Sequence, residues 1–280
     1  MSILQSIFLG ILQGIAEFLP ISSSGHLKLA QTLFNLQDVP LLYDVILHLA
    51  TLLAVILYFR VKIAKLFVCL FRWILKRNEN RITDETDLLT GSDYLGRKSI
   101  VAIICTTFVT GIIGIFTSKL IPDMPISYSC IGFLITALLL IFSGIKQKKS
   151  SSNEISKNGI SIPQSLFIGL MQGIGTLPGI SRSGSTIAGA QFAGVDRATA
   201  GEFSFIVSIP AILGAFVLEA KDLGQVGSSI GILPVAAGFV SAFVFGYFSL
   251  SVLMKLIKRG KLEWFAAYLI PLGILGLIFF

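Results

Sequence analysis

One stretch of sequence occurs twice. SIFLGILQGIAEFLPISSSG (6–25) aligns without a gap on SLFIGLMQGIGTLPGISRSG (165–184), with 10 identities in 20 positions. Chance at this composition would give only a few, so the chain contains an internal repeat offset by 159 residues. Both copies begin as apolar helices and break at Pro, Gly and Ser. A repeat that must break in the middle of an apolar segment is a narrow constraint. Irregular backbone at membrane depth is tolerated only where protein buries it or where it lines a wet cavity.

The rest of the chain agrees with a membrane setting. Of 280 residues, 54% are hydrophobic and 13% charged, and the mean hydropathy is +0.85. Soluble domains carry about twice that share of charge. Six apolar segments, 43–60, 98–117, 127–145, 200–219, 230–254 and 264–280, approach the roughly 20 residues that cross a bilayer. Short alternating segments, the mark of a β-barrel, do not occur. The intervals 60–98, 146–158 and 255–261 hold 17 of the 22 basic residues. Six spans put all three on one side, which the positive-inside rule makes cytoplasmic. The net charge of +7 is therefore a topology signal, and no nucleic-acid partner is expected. The polar segment 78–97 is expected to be a cytoplasmic loop. The first basic residue is Lys28, so no cleavable signal peptide is expected. Cys69, Cys105 and Cys130 are scattered and read as small core residues rather than metal ligands.

The broken stretches 2–34 and 163–194 do not fit as single spans without spoiling the charge pattern. Each is expected to be a re-entrant helical hairpin. The fold class is then an all-α polytopic membrane protein. Residues 1–145 form a first repeat, 146–162 a cytoplasmic linker and 163–280 a second repeat, each repeat one hairpin plus three transmembrane helices. Three spans per half is odd, so the halves enter the membrane in opposite senses, an inverted-topology repeat. Such folds place their sites where broken helices meet near the midplane.

Gly10, Gln13, Gly14 and Glu17 share one helix face. The Gly10/Gly14 and Gly169/Gly173 pairs point to close helix packing. Packing does not account for Glu17, since a carboxylate at this depth costs a few kcal/mol unless paired or hydrated. Metal binding or proton transfer suits it better. Ser22, Ser23 and Ser24 precede a second helix near His26 and suit N-caps or an anion at a helix start. LPGISRSGST (177–186) repeats the arrangement and adds Arg182, whose fork suits carboxylate or phosphate. If the hairpins meet, two helix starts, a row of hydroxyls and one guanidinium surround a point fit for a phosphate or diphosphate. Glu17 and His26 would supply the acid–base group or nucleophile. Asp44 and His48 form an i, i+4 pair that reads first as a local hydrogen bond, and Glu202 near the inner end of a span reads similarly.

QGIAEFLPISSSGH and LPGISRSGST resemble the two signature regions of the bacterial undecaprenyl-diphosphatase (bacitracin-resistance) family. YDVILHLATLLAVILYFR and AGEFSFIVSIPAILGA resemble it too, so the likeness covers essentially the whole chain. The resemblance implies hydrolysis of undecaprenyl diphosphate to undecaprenyl phosphate and inorganic phosphate, which recycles the lipid carrier of cell-wall synthesis. It implies catalytic roles for Glu17, Ser23, His26 and Arg182. Substrate contacts fall to Gln13, Ser22, Ser24, Ser181, Ser183 and Thr186, and a divalent cation, Mg2+ or Ca2+, to Glu17. Position 13 is Gln where many members carry Glu. Ser23 with His26 or Glu17 as base, and His26 as nucleophile with Glu17 on the metal, both stay open. The expected partner is a polyprenyl diphosphate lipid in the bacterial cytoplasmic membrane, with the site open to the outer face, and a homodimer is compatible with the sequence. The rival class is a transporter or flippase for an anionic lipid, in which Glu17 and Arg182 bind without chemistry.

Overall fold

The computed structural model describes residues 1–36, 39–76, 87–118, 124–149, 159–219 and 230–280. Eleven α-helices and no strands occur among them. They are α1 (Ile3–Phe18), α2 (Ser23–Leu33), α3 (Leu41–Tyr58), α4 (Arg60–Ile74), α5 (Asp93–Ser118) and α6 (Ile126–Lys149), then α7 (Ile162–Ile174), α8 (Arg182–Phe192), α9 (Arg197–Glu219), α10 (Ile232–Arg259) and α11 (Trp264–Phe279). Five of them, α3, α5, α6, α9 and α10, are long and apolar enough to cross a membrane. The chain is a multi-pass membrane protein.

Three expectations need adjustment. The segment 264–280 does form a helix, but α11 has only 16 residues, about 24 Å against a hydrocarbon core of about 30 Å. The basic interval after α3 is not all loop. Arg60–Ile74 is helical, and α5 already begins at Asp93. Residues 77–86, most of the acidic part of that segment, lie outside the described residues, as do 150–158 of the linker. The segment expected as linker from 146 begins as helix, since α6 continues to Lys149.

Both broken stretches are helix–turn–helix pairs, α1–α2 and α7–α8. Their starts repeat as well as their middles. The Ser2 amide donates to Gln5 Oε1 at 2.7 Å, and 159 residues later the Ser161 amide donates to Gln164 Oε1 at 2.8 Å. Each pair's first helix packs on a long helix of the other half, α1 on α10 and α7 on α5. The two repeats are thus interleaved rather than set side by side.

Small residues allow these crossings. A Cβ on Gly10 would run into the carbonyl of Gly238, and one on Gly14 would lie 2.7 Å from the Ala242 carbonyl oxygen. In the other half, a Cβ on Gly169 would lie 2.8 Å from the Thr106 carbonyl oxygen. Lipid is as apolar as leucine, so apolar burial adds little between membrane helices, and close backbone packing carries the association. Hydroxyls reinforce it. Thr106 Oγ1 donates to the Ser165 carbonyl at 2.9 Å and Thr110 Oγ1 to that of Gly169 at 3.1 Å.

At one end of the bundle, Lys62 on α4 joins the halves. Its ammonium lies 3.1 Å from Asp87 Oδ1 and 2.5 Å from Glu202 Oε2 on α9. Glu202 is therefore a structural tie. Asp87 also folds its own loop, accepting the Leu89 and Thr90 amides and the Thr90 hydroxyl. Burial pushes the Asp87 carboxyl's pKa up. The Thr90 hydroxyl and the Lys62 ammonium push it down, and they win. Burial likewise pulls the Lys62 ammonium down, and the Glu202 and Asp87 carboxylates more than reverse this.

Candidate active site

The turns between the paired helices bring the site together. Ser22 caps α2, its hydroxyl accepting the Gly25 amide at 3.4 Å, and Ser181 caps α8 by accepting the Gly184 amide at 3.1 Å. Ser22 reaches this position with φ 71°, a region that non-glycine residues seldom occupy and that costs on the order of 1–3 kcal/mol. Gly179 takes φ 78° in the second turn, and its Cα packs where the Ser129 carbonyl leaves no room for a side chain. The Ser183 hydroxyl then donates to the Phe18 carbonyl at 3.2 Å, which ties the start of α8 to the end of α1. The two hairpins do meet.

Glu17 is the hub, 7% exposed. Its Oε1 takes a hydrogen bond from Arg182 Nη2 of the other half. Its Oε2 accepts the Ser23 hydroxyl at 2.6 Å and the Gln13 amide nitrogen at 3.0 Å. His48 Nε2 on α3 approaches the same oxygen at 3.3 Å. Arg182 keeps Nη1 buried without a hydrogen-bond partner, and so does Gln13 its Oε1. A buried guanidinium edge with no acceptor is a place prepared for an anion.

The histidines can be read from their partners. His26 Nδ1 lies 2.7 Å from the Ser22 carbonyl oxygen. A carbonyl only accepts, so Nδ1 carries the proton and Nε2 of the neutral ring is bare. Tyr268 Oη sits 2.8 Å from that Nε2 and donates to it. The Tyr268 ring also stacks on His26, centroids 5.7 Å apart. His48 Nδ1 likewise donates to the Asp44 carbonyl at 2.7 Å. Its Nε2 faces the Glu17 carboxylate.

A family model described as "Bacitracin resistance protein BacA" matches residues 6–275. This chain belongs to the BacA family. It is 48% identical over 275 residues to a Treponema denticola protein named undecaprenyl-diphosphatase, covering 98% of this chain and 96% of that one. A Borrelia recurrentis protein of the same name is 37% identical, covering 100% of this chain and 98% of its own. One from Methanosphaera stadtmanae is 38% identical, covering 99% and 98%.

Within this BacA chain the residues singled out from sequence fall into distinct places. Gln13, Glu17, Ser23 and Arg182 converge. Ser22 and Ser181 cap helices, and Ser183 joins the hairpins. Thr186 is fully buried and donates to the Arg182 carbonyl at 2.7 Å, one turn back in its own helix. Ser24 is exposed. His26 faces Tyr268. Two members of the cluster were undervalued. The local hydrogen bond expected between Asp44 and His48 forms through the Asp44 carbonyl, while the other ring nitrogen reaches Glu17 and the Asp44 carboxylate accepts Gln31 Nε2 at 2.7 Å. Tyr268 carried no signal, since its partner is 242 residues away.

A divalent cation would draw on the oxygen donors of this cluster. Among the described residues no group of three or more His, Cys, Asp or Glu side chains is placed to hold a metal. Glu17 offers a carboxylate, and the unpartnered Gln13 Oε1 a carbonyl-type oxygen beside it. Mg2+ is commonly held by one or two carboxylates with the rest of its shell from substrate phosphates and water. Both Glu17 oxygens are already engaged by Arg182, Ser23, Gln13 and His48, so a cation there would have to displace a present partner, with Gln13 Oε1 as the unpartnered oxygen.

Proposed function

We propose that this chain hydrolyses undecaprenyl diphosphate to undecaprenyl phosphate and inorganic phosphate. It is an enzyme, a phosphatase acting on a diphosphate, and its substrate is a membrane lipid. The names borne by its relatives support this. One observation carries the chemistry: the Ser23 hydroxyl, held 2.6 Å from the Glu17 carboxylate, beside an arginine with an unpaired edge. The product lipid returns to cell-wall synthesis, and its regeneration underlies bacitracin resistance.

Ser23 Oγ attacks the terminal phosphorus while Glu17 Oε2 accepts its proton. The bond from that phosphorus to the bridging oxygen breaks, and the lipid monophosphate leaves. The proton on Glu17 passes to the departing lipid phosphate. Water then cleaves the phosphoserine, with Glu17 taking the water's proton and handing it to the serine oxygen as that is released. Arg182 spreads its charge over the phosphoryl oxygens as negative charge moves through the transition state. His26 is less suited to attack, because the Tyr268 hydroxyl occupies its Nε2 lone pair. Glu17 and Gln13 Oε1 would hold Mg2+ or Ca2+, which when bound neutralises charge on the diphosphate. A transporter has no use for a hydroxyl held on a carboxylate, and the relatives' names do not favour that reading.

The same proposal includes the topology. The reciprocal packing of α1 on α10 and α7 on α5 supports an inverted repeat with two re-entrant hairpins. The clustering of basic residues in 60–98, 146–158 and 255–261 supports a cytoplasmic face for those segments, with the site opening outward in the bacterial inner membrane.

The test is lipid diphosphate cleavage by purified protein, with and without EDTA, beside Arg182→Ala and Glu17→Ala. Cleavage that needs metal and vanishes in both variants is expected, along with a phosphoenzyme trapped on Ser23. No cleavage by folded wild type in any metal would end the hydrolase reading.

A further inference from the structure

A narrow cleft lies beside Glu17 and Arg182, between α3 and α9. Neither signature stretch supplies its far wall. That wall carries Thr51 on α3 and Ser204 and Ser208 on α9, which are 0%, 3% and 4% exposed. Ser204 and Ser208 are one helical turn apart and so share a face. With Ser183 and Arg182 on the near side, four hydroxyl residues and a guanidinium line the cleft, and Arg182 Nη1 is buried without a hydrogen-bond partner.

We propose that Thr51, Ser204 and Ser208 seat a phosphate group against the free edge of Arg182. In the intact substrate this is the terminal phosphate, and after cleavage it is orthophosphate. The inference rests on the hydrolase reading and assigns positioning and specificity residues to it. The hydroxyls have protons to give. Ser208 Oγ now donates to the Phe205 carbonyl at 2.7 Å and Thr51 Oγ1 to the His48 carbonyl at 2.9 Å. Both carbonyls lie inside helices and keep their own i+4 amide partners, so turning the hydroxyls toward an anion orphans nothing. Phe18, Val55, Phe205 and Ile212 complete the walls. An oxyanion among them meets little competing water, which strengthens each hydrogen bond. A prenyl tail in the same place would leave the Arg182 edge unpaired. The seat also explains why a diphosphate should be preferred to a monophosphate lipid: one phosphate fills the cleft while the other stays with the lipid.

The test uses full-length protein in detergent, with Ser204→Ala/Ser208→Ala and, separately, Thr51→Val, which keeps the shape and removes the hydroxyl. Cleavage is followed on the lipid by chromatography, so that orthophosphate can be added as inhibitor. Thermal stabilisation by orthophosphate, with sulfate alongside, is measured without turnover. The double variant is expected to raise the orthophosphate inhibition constant and the KM for lipid diphosphate about tenfold or more, as lost hydrogen bonds to a charged group do. Its melting temperature without phosphate should stay close to wild type, and orthophosphate should stabilise it less. A rise in KM alone places the seated group in the intact lipid, and a rise in both places it in the product as well. Unchanged KM, inhibition constant and stabilisation in the double variant and in Thr51→Val overturn the proposal. Should wild type cleave nothing yet be stabilised by orthophosphate through Ser204 and Ser208, the seat survives and the hydrolase reading falls.

Discussion

Arg182 and His48 both end on one carboxylate, so replacing Glu17 by glutamine keeps the shape of the hub and removes its charge. The Glu17 side chain is 6% exposed and that of Arg182 is 19%. Breaking a buried ion pair from one side costs about 3–5 kcal/mol, because the partner's charge stays buried. The partial exposure of Arg182 points to the lower end, about 3 kcal/mol. For a chain of this size each kcal/mol is about 2–4 °C in melting temperature, so Glu17→Gln should lose roughly 6–12 °C. Arg182→Gln should lose less, since Glu17 keeps His48 at 3.3 Å and Ser23 at 2.6 Å. In Glu17→Gln/Arg182→Gln no unpaired guanidinium remains. The double variant should therefore be more stable than the two single losses predict, by about 2 kcal/mol. All three variants should release no phosphate, so activity cannot separate them and stability must. The assay is thermal unfolding in detergent, followed by intrinsic fluorescence at neutral pH. Simple additivity of the two losses would refute the reasoning, because two hairpins that do not share this pair would not couple.

Other perturbations probe other contacts. Gly10→Ala should cost about 1–3 kcal/mol by forcing α1 off α10. Gly214→Ala, whose Cβ would meet nothing within 4 Å, should be neutral or slightly stabilising in the same melt. Tyr268→Phe removes one hydrogen bond to His26, worth about 1 kcal/mol, and should reduce kcat/KM no more than about fivefold. A thousandfold loss would move the chemistry to His26. Gln13→Glu adds a second carboxylate beside Glu17 and should lower the divalent-cation concentration giving half-maximal activity by about tenfold; an unchanged metal titration would remove position 13 from the cation site. The Asp87 carboxyl is held below its ordinary value of 3.8, so its stabilising contribution is present above that pH and fades as the pH falls through it and below. The melting-temperature gap between wild type and Asp87→Asn should accordingly be open at neutral pH and close in acid.

Local chemistry was legible in the sequence, and distant pairing was not. Both helix breaks, the glycine faces and the Gln13–Glu17 face follow from spacing within one helix. The need for a partner to Glu17 follows from the cost of a buried charge, but the sequence assigns Arg182 to a phosphate, and its pairing with Glu17 appears only in the fold. His48 was harder. Its i−4 neighbour Asp44 offered a local explanation that the backbone satisfies in a different way, through the Asp44 carbonyl. The imidazole was then free to reach across to another helix. Tyr268 lies on a helix apolar on every side, where one hydroxyl carries no periodic signal. Several serines were read as substrate contacts because turns rich in hydroxyls suit anions. Ser22 and Ser181 accept the amides of their own helices, the capping role the sequence also offers.

The repeat also accounts for how one site arises from two similar halves. The interleaved packing brings the start of α2 and the start of α8 to the same place, so positions 23 and 182 are equivalents 159 residues apart. Identical residues there would give a symmetrical site with no direction to its chemistry. Two arginines would repel across it, and two serines would leave Glu17 without the cation it needs at this depth. The halves differ where a difference is required. Position 17 is Glu and its counterpart 176 is Thr; position 23 is Ser and 182 is Arg; position 26 is His and 185 is Ser. The first half thus holds the hydroxyl and the carboxylate, and the second half holds the cation. Residues kept identical are those that build the frame: Gly10/Gly169 and Gly14/Gly173 for close packing, and Ser22/Ser181 for the caps. Conserving the frame and diverging the faces lets the same contacts that fold the protein, Arg182 to Glu17 foremost, also assemble its site.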